Sequence, residues 1–527
     1  MLSFRQTVSS ASRTFPGRER YSAKRLLHIS RAASLSNQND DGTDTQTRHR
    51  QGEDPDESPR PLGAPGLIGV ADQDLRSFVA AYDRAHPGEV IHVTEPVSIE
   101  EDVMALVLEY ERRRRYPILF FDRVAGHDIP IICNVVASRR ALAWALRVDE
   151  RALSAEYARR IKEHIKPVVV PDPPFRYRVL TGPAVDLGAL PMPRYFPGDA
   201  GRYLTAGMLV ARDPDTGVET EGYHRFQLKG LDRMGVSLHS RRRMFEYQRR
   251  AEAKGRALPC AIVLGLHPLV SMGSLAYPPP DVGKFEVVGG LLGEPLEVAP
   301  CSTIDLHVPA SAEIVIEGEI LPNVREPEGP FGEFTGYVSR RSTEHVFVAK
   351  ALAMRARPWF QSIGSGRAGD HITTLGLIRE AEIANALARV IPNVRGVHVP
   401  LSGTSSFTAY VSIAQSRPGE AKHVIPIVLG VDHYVKLVIV VDDDIDVFDE
   451  SEVLWAVATR VQADRDLVVV SGSLGALLDP SADERGVTAK LGIDATRPFG
   501  EPFAEKLVMS PEKMAWARDL VDRLARS

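Results

Sequence analysis

The chain changes rhythm twice along its length, and this limits its fold more than any single motif. Residues 72–82 place Leu75, Phe78, Val79 and Tyr82 at the spacing of one helical face. Ser98-Ile-Glu-Glu101 reads as a capping box opening a second helix toward Tyr110. Pro117 to Phe121 and Ile129 to Val136 read as strands. Between residues 177 and 350 the pattern becomes short β-rich runs (Leu204–Ala211, Ala261–Leu264, Glu313–Glu317) punctuated by Gly and Pro, which predicts a β-barrel or sandwich set between α/β regions. Beyond 350 strand and helix alternate again, with a buried-type strand at Leu437–Val441 and a helix at Glu450–Thr459. No internal repeat is evident.

Composition narrows the class. A chain of 527 residues with 44% apolar and 25% charged residues has the make-up of an average globular protein, and its length suggests about three domains. Cys133, Cys260 and Cys301 are far apart and match no zinc-ligand spacing, which fits a reducing compartment. A net charge of −5 leaves no general basic field for nucleic acid. The longest apolar run, Val424 to Val441, is broken by Asp432, His433 and Lys436, so no membrane span is expected. Residues 1–36 hold six Arg and one Lys against Glu19 alone, leaving the remainder strongly acidic. Arg-rich, Ser-rich and acid-poor is the composition of a mitochondrial presequence, with a disordered basic tail as the alternative. Residues 37–66 are nearly devoid of large apolar side chains and read as a disordered linker.

Several segments can carry chemistry. In Glu326-Pro-Glu-Gly-Pro-Phe-Gly-Glu-Phe-Thr-Gly-Tyr337 two prolines and three glycines predict a rigid loop that a ligand can approach closely. Glu328 and Glu333 lie within it; two carboxylates held close can divide into one acid and one anion, whereas the bland alternative is a turn with solvated glutamates. Arg225, ending Thr220-Glu-Gly-Tyr-His-Arg225, can clamp a carboxylate bidentately or lie on the surface. His239 is a metal ligand, a phosphate contact or a helix-start histidine. Gly364-Ser-Gly-Arg-Ala-Gly369 matches a dinucleotide fingerprint, but Glu380 and Glu382 fall in a helical pattern instead of ending a strand, which argues against that reading. Asp442-Asp-Asp444 reads as a solvated strand end rather than a cation site.

Taken in order, Phe196-Pro-Gly-Asp-Ala-Gly-Arg-Tyr-Leu-Thr-Ala-Gly207, Arg225, His239, residues 305–318, Pro327-Glu-Gly-Pro-Phe-Gly-Glu333 and residues 436–446 resemble the UbiD family of decarboxylases, over roughly residues 75–510. Pro-Phe-Gly-Glu and the leader are most similar to the fungal ferulate/cinnamate branch. The resemblance implies an N-terminal α/β domain (67–176), a central split β-barrel binding prenylated FMN (177–354) and a C-terminal α/β oligomerisation domain (355–527). It implies a reversible, non-oxidative decarboxylase of an aromatic or α,β-unsaturated acid, with the flavin acting as an azomethine ylide. Glu333 would be the proton donor, while Arg225 with Glu328 would hold the carboxylate.

The same resemblance implies cofactor contacts from Thr220, Glu221, Gly222, Tyr223, His224, Arg225, Leu238, His239, Lys284 and Lys436. A flavin prenyltransferase would supply the cofactor, and the assembly would be a homodimer or a hexamer of dimers. Family members hold the flavin phosphate through Mn2+, with K+ nearby, on an Asn, a His and a Glu. Here the His matches His239, but Thr220 and Lys284 occupy the other two positions. A protonated lysine cannot ligate a cation. Either Lys284 replaces the metal as counter-charge, or Glu286 takes the ligand role, or the cofactor is lost. The last option describes either a catalytically silent paralogue acting as a binding or scaffold subunit, or a decarboxylase that has lost the usual metal-bound flavin. His371 replaces the family's final acidic residue in residues 365–371, which suggests an altered substrate preference.

Overall fold

The computed structural model describes residues 73–238 and 243–524. The basic leader, the linker and His239 lie outside the described residues. The first helix, Leu75–Ala85, buries Leu75, Phe78, Val79 and Tyr82, and the Asp74 carboxylate accepts from the amides of Arg76 and Ser77. The second helix departs from expectation. It runs Asp102–Arg112, with Glu101 at its start in a left-handed conformation and making no side-chain cap. Ser98 is used earlier: its hydroxyl accepts from the Glu100 amide, while Asp102 accepts from the Ser98 amide at 2.8 Å. The reciprocal pair thus closes a turn ahead of the helix, one residue later than a capping box would place it.

A four-stranded N-terminal sheet follows in the order Val90–Val93, Ile118–Phe121, Ile131–Cys133, Phe360–Gln361. Its third strand is shorter than predicted, because Asn134 turns to positive φ and the amides of Asn134 and Val136 are taken by the Asp370 carboxylate. Its last strand comes from far along the chain and pairs in parallel with Ile131 and Ile132.

The central region is the predicted barrel. Six antiparallel strands close in the order Ile314–Glu328, Leu258–Leu264, Tyr203–Arg212, Glu219–Leu228, Arg233–Val236, Ser342–Met354, and the last pairs back onto the first. Arg178–Thr181 adds a seventh strand to Ser342–Met354. The strands are apolar on both faces. Leu209 and Ala211 join one hydrophobic core with Phe226, Ile262 and Phe347, while Met208 and Val210 join another with Leu269, Val288 and Leu291 from the helices Pro268–Ser274 and Lys284–Leu292. This explains why the runs read as continuous apolar stretches, without the alternation of a half-exposed sheet.

The loop predicted at 326–337 begins later than its prolines suggest. Ile314–Glu328 is one fifteen-residue strand, so Glu328 is its last residue, not a loop residue. A shift of register between Ile320 and Arg325 accommodates Pro322.

The C-terminal region is a five-stranded sheet in the order Val394–His398, Thr408–Ile413, Leu437–Asp442, Val487–Ala495, Leu467–Leu474. Helices Gly369–Leu387 and Glu420–Val431 share a core with it. Asp442 is not a solvated strand end. It is buried and accepts from Arg460 at 2.7 Å and from the Arg497 amide at 2.8 Å, while Asp444 pairs with Arg460 at 2.9 Å. The three cysteines are free thiols. Among the described residues no helix is long and apolar enough to cross a membrane.

Candidate active site

The barrel strand Glu219–Leu228 carries Arg225, and the strand ending at Glu328 brings that carboxylate against it. Arg225 Nε and Nη2 donate to the two oxygens of Glu328 at 3.0 and 2.9 Å, and Nη1 donates to Glu333. The Glu328 side chain is 1% exposed and that of Arg225 17%. Burial works against the guanidinium charge, but the Glu333 and Glu328 carboxylates outweigh it and raise Arg225 above its ordinary value. The Phe331 ring lies 5.0 Å from the guanidinium carbon, contributing about 0.5–2 kcal/mol of cation–π attraction.

The loop between the two glutamates is held from outside. Buried Asp199 accepts from the Gly332 amide at 3.0 Å and from the amides of Tyr195 and Phe196. A Cβ at Gly332 would lie 2.9 Å from the Phe196 ring, so only glycine allows this approach.

Arg225 and Glu333 face a cavity whose walls come from all three regions: Val136 from the first, Thr205, Tyr223, Phe331 and Phe334 from the barrel, and His371, Arg379, Ser406, Tyr434 and Leu478 from the third. The Ser365 and Ser406 hydroxyls line it, buried and without a hydrogen-bond partner. His371 Nδ1 lies 2.9 Å from the Gly366 carbonyl. A carbonyl only accepts, so Nδ1 carries the proton and Nε2 is left as an acceptor. Burial lowers His371 below the usual imidazole value, partly offset by the nearby Glu333. Asp370 also lines the cavity, and burial pushes its carboxyl up to about 7 against the pull of the Asn134 and Val136 amides.

The residues expected at the cofactor divide into two groups. Tyr223, His224 and Arg225 line the cavity; the Tyr223 hydroxyl meets that of Ser271 at 2.7 Å, and His224 Nδ1 lies 3.0 Å from the Ser237 carbonyl. Thr220, Glu221, Gly222, Leu238, Lys284 and Lys436 do not line it. Leu238 is packed in the barrel core. Lys436 donates to Asp479 at 2.6 Å and Ser481 at 2.7 Å, behind the wall formed by Tyr434 and Leu478.

Lys284 Nζ donates to the carbonyls of Glu221 at 2.8 Å and Ser274 at 2.5 Å. The Thr220 hydroxyl and both Glu221 carboxylate oxygens are buried without a hydrogen-bond partner. Burial pushes the Glu221 carboxyl up to about 8, against the pull of the Lys284 charge. Glu286 is engaged elsewhere, accepting from the Gly283 amide at 3.3 Å at the start of its own helix. Among the described residues no group of three or more His, Cys, Asp and Glu could hold a metal ion.

Sequence reading did not find Phe331 as a partner of Arg225, nor Arg379, Ser406 and Tyr434 as cavity walls. No local pattern marks the last three, which meet the barrel only through the fold, whereas Phe331 stood within a block already singled out. Asp199 lay in a block already singled out, and its place two residues before Gly201 in a Gly-punctuated turn was the available signal.

Comparison with known proteins agrees with this architecture. The family descriptions of the 3-octaprenyl-4-hydroxybenzoate carboxy-lyase N-terminal, Rift-related and C-terminal domains match residues 82–161, 167–368 and 372–495. The anhydromevalonate phosphate decarboxylase of Methanothermobacter thermautotrophicus is 34% identical over 419 residues, covering 79% of this chain and 96% of that protein. The UbiD-class enzyme HmfF from Pelotomaculum thermopropionicum, solved in complex with FMN, superposes with a TM-score of 0.80 at 35% identity, over 84% of this chain and 99% of its own. The apo 3,4-dihydroxybenzoic acid decarboxylase (AroY) of Klebsiella pneumoniae gives 0.78 at 28% identity, over 84% and 99%. With all three domain descriptions matched in order and the barrel closed between them, the chain belongs to the UbiD family of carboxy-lyases.

Proposed function

We propose that the chain is a reversible, non-oxidative decarboxylase of an aromatic or α,β-unsaturated carboxylic acid that works with prenylated FMN. The observation that carries this reading is the buried Arg225, bonded to two carboxylates at the wall of a cavity. The cavity fits a planar heteroaromatic ring: Phe331, Phe334, Leu275 and Ile363 supply apolar walls, and the unpartnered Ser365 and Ser406 hydroxyls can bond a polar rim. When bound, the prenylated flavin supplies the electron sink for cleavage of the carbon–carbon bond.

The chain's own residues do the rest. Glu328 fixes the guanidinium plane through two parallel hydrogen bonds, leaving Nη1 as the arm that can change partner. A substrate carboxylate that takes Nη1 takes it from Glu333, which frees the Glu333 carboxyl to carry a proton to the carbon that loses carbon dioxide. His371 Nε2 can accept a hydrogen bond in the same space. Arg379 lines the far wall, held by Asp432 at 2.9 Å, and suits a substrate with a second polar or anionic group, as the phosphate in the name of the M. thermautotrophicus enzyme illustrates. Ferulic and cinnamic acids open the substrate panel, because Pro330-Phe-Gly-Glu333 resembles the fungal branch.

The divalent cation fits less well. Lys284 is an ammonium that donates to two carbonyls and has no lone pair to offer, and Thr220 brings only a neutral hydroxyl. This departure favours a second reading, a silent paralogue serving as a binding or scaffold subunit, under which Glu333→Gln has no phenotype. Exposed apolar residues on the Pro511–Leu524 helix, among them Trp516, Val521 and Leu524, support self-association. The composition of residues 1–36 supports a mitochondrial location.

The deciding experiment is to produce the chain alongside a flavin prenyltransferase and measure flavin absorbance and carbon dioxide release over a panel of arylacrylic and phenolic acids. Release that depends on Glu333 is the expected result. Neither flavin nor release on any acid overturns the decarboxylase reading.

A further inference from the structure

Resting on the flavin reading above, we infer that this chain holds its flavin without a divalent cation, the Lys284 ammonium supplying the positive charge for the flavin's phosphate. The lysine stands behind the cavity wall, bonded to the backbone of segments that line it. It donates to the main-chain carbonyls of Glu221 and Ser274, and the nearby residues Tyr223, Ser271 and Leu275 line the cavity wall. The lysine side chain is an ammonium that carries donors only, and these two bonds fix its charge against the backbone. A phosphate monoester is a dianion, and lysine meets such groups as a point charge.

The remaining residues agree with a resident cation rather than a bound metal. Glu221, the neighbour of Thr220, is buried with both side-chain oxygens lacking a hydrogen-bond partner among the described residues, and its main-chain carbonyl is taken by Lys284. Glu286, the one nearby carboxylate that a shift of register would bring to the lysine's place, is turned back onto the Gly283 amide. A divalent ion here would sit beside a fixed positive charge. The ammonium therefore takes over the role of a cation and also excludes one.

The test is titration of the full-length, flavin-free protein with FMN and with riboflavin, which lacks the phosphate, read by flavin fluorescence, in EDTA and in Mn2+. The expected result is FMN affinity equal in EDTA and Mn2+ within about twofold, with riboflavin about tenfold weaker or more. Lys284→Met should weaken FMN by about tenfold and leave riboflavin unchanged, while Lys284→Arg retains FMN binding. Lys284→Glu with Thr220→Asn should make FMN binding depend on Mn2+.

FMN binding that is lost in EDTA and regained with Mn2+ in the unaltered chain overturns the inference and leaves the flavin reading standing. Equal affinity for FMN and riboflavin also overturns it, as does a folded Lys284→Met that binds both like the parent. Failure of the folded chain to bind either flavin overturns the flavin reading itself, and the inference with it.

Discussion

The two ends of the strand Glu219–Leu228 treat buried charge in opposite ways. At the Arg225 end each ionised group meets another: two carboxylates converge on one guanidinium, with an aromatic face beside it. At the Thr220 end, four to five residues away, a buried carboxylate and a hydroxyl have no hydrogen-bond partner, and a lysine reaches in to the backbone. The contrast separates two kinds of constraint. At the first end the guanidinium commits three of its N–H bonds to two carboxylates, so each charge is met by its opposite. The second end answers only to charge, which one cation can supply in place of another.

The sharpest way to break this contrast is at Arg225. Arg225→Ala leaves Glu328 and Glu333 buried and unpaired, so the chain should lose about 3–5 kcal/mol in urea unfolding and all measurable decarboxylation. A stable Arg225→Ala would mean that the cluster is no more saturated than the other end. Next in size, Glu333→Gln keeps the shape and removes the proton. Turnover should fall by about 10²–10⁴ with flavin binding intact, measured as carbon dioxide release on a flavin-loaded sample.

The opposite end is tested by pH. Glu221 is held up to about 8 by burial, so the folded chain keeps that proton where the unfolded chain, near the ordinary glutamate value, has lost it. Stability from this group is present at low pH and is lost as pH rises through that window. Between about pH 5 and about pH 8 the loss should be on the order of 3 kcal/mol, and Glu221→Gln should flatten the urea-midpoint curve. A parent curve as flat as the variant's would show that the carboxylate is better compensated than its geometry indicates. The smallest effect belongs to Phe331→Leu, which removes the ring beside Arg225. We expect about 1 kcal/mol in apparent substrate affinity, seen in KM with little change in kcat.

Much of the Arg225 end was legible in the sequence because its parts are dense in local signal. Glu328 and Glu333 sit in a short tract of Pro and Gly, and Arg225 follows a strand-like run, so these residues could be singled out before the fold was known, while their roles came only with the family resemblance. Other features depended on distant partners. Asp442 looked like a solvated acid until Arg460, eighteen residues on, was seen to cover it. Glu328 read as a loop residue because Pro327, Pro330 and three glycines crowd its segment; the strand nonetheless runs on through Pro327, which pairs in register with Thr343. Ser98-Ile-Glu-Glu101 held the right residue types, but Asp102 won the reciprocal bond and delayed the helix. Arg379, Ser406 and Tyr434 gave no sign at all, for they face the barrel across a domain boundary.

The strand Phe360–Gln361 bears on how the molecule is made. It completes a sheet whose other members lie before residue 134, so the whole barrel must leave the ribosome before the first sheet gains its fourth strand. The cavity walls at Arg379, Ser406, Tyr434 and Leu478 emerge later still. During synthesis, therefore, the nascent chain carries Glu333 and Arg225 well before the cavity they face has all its walls.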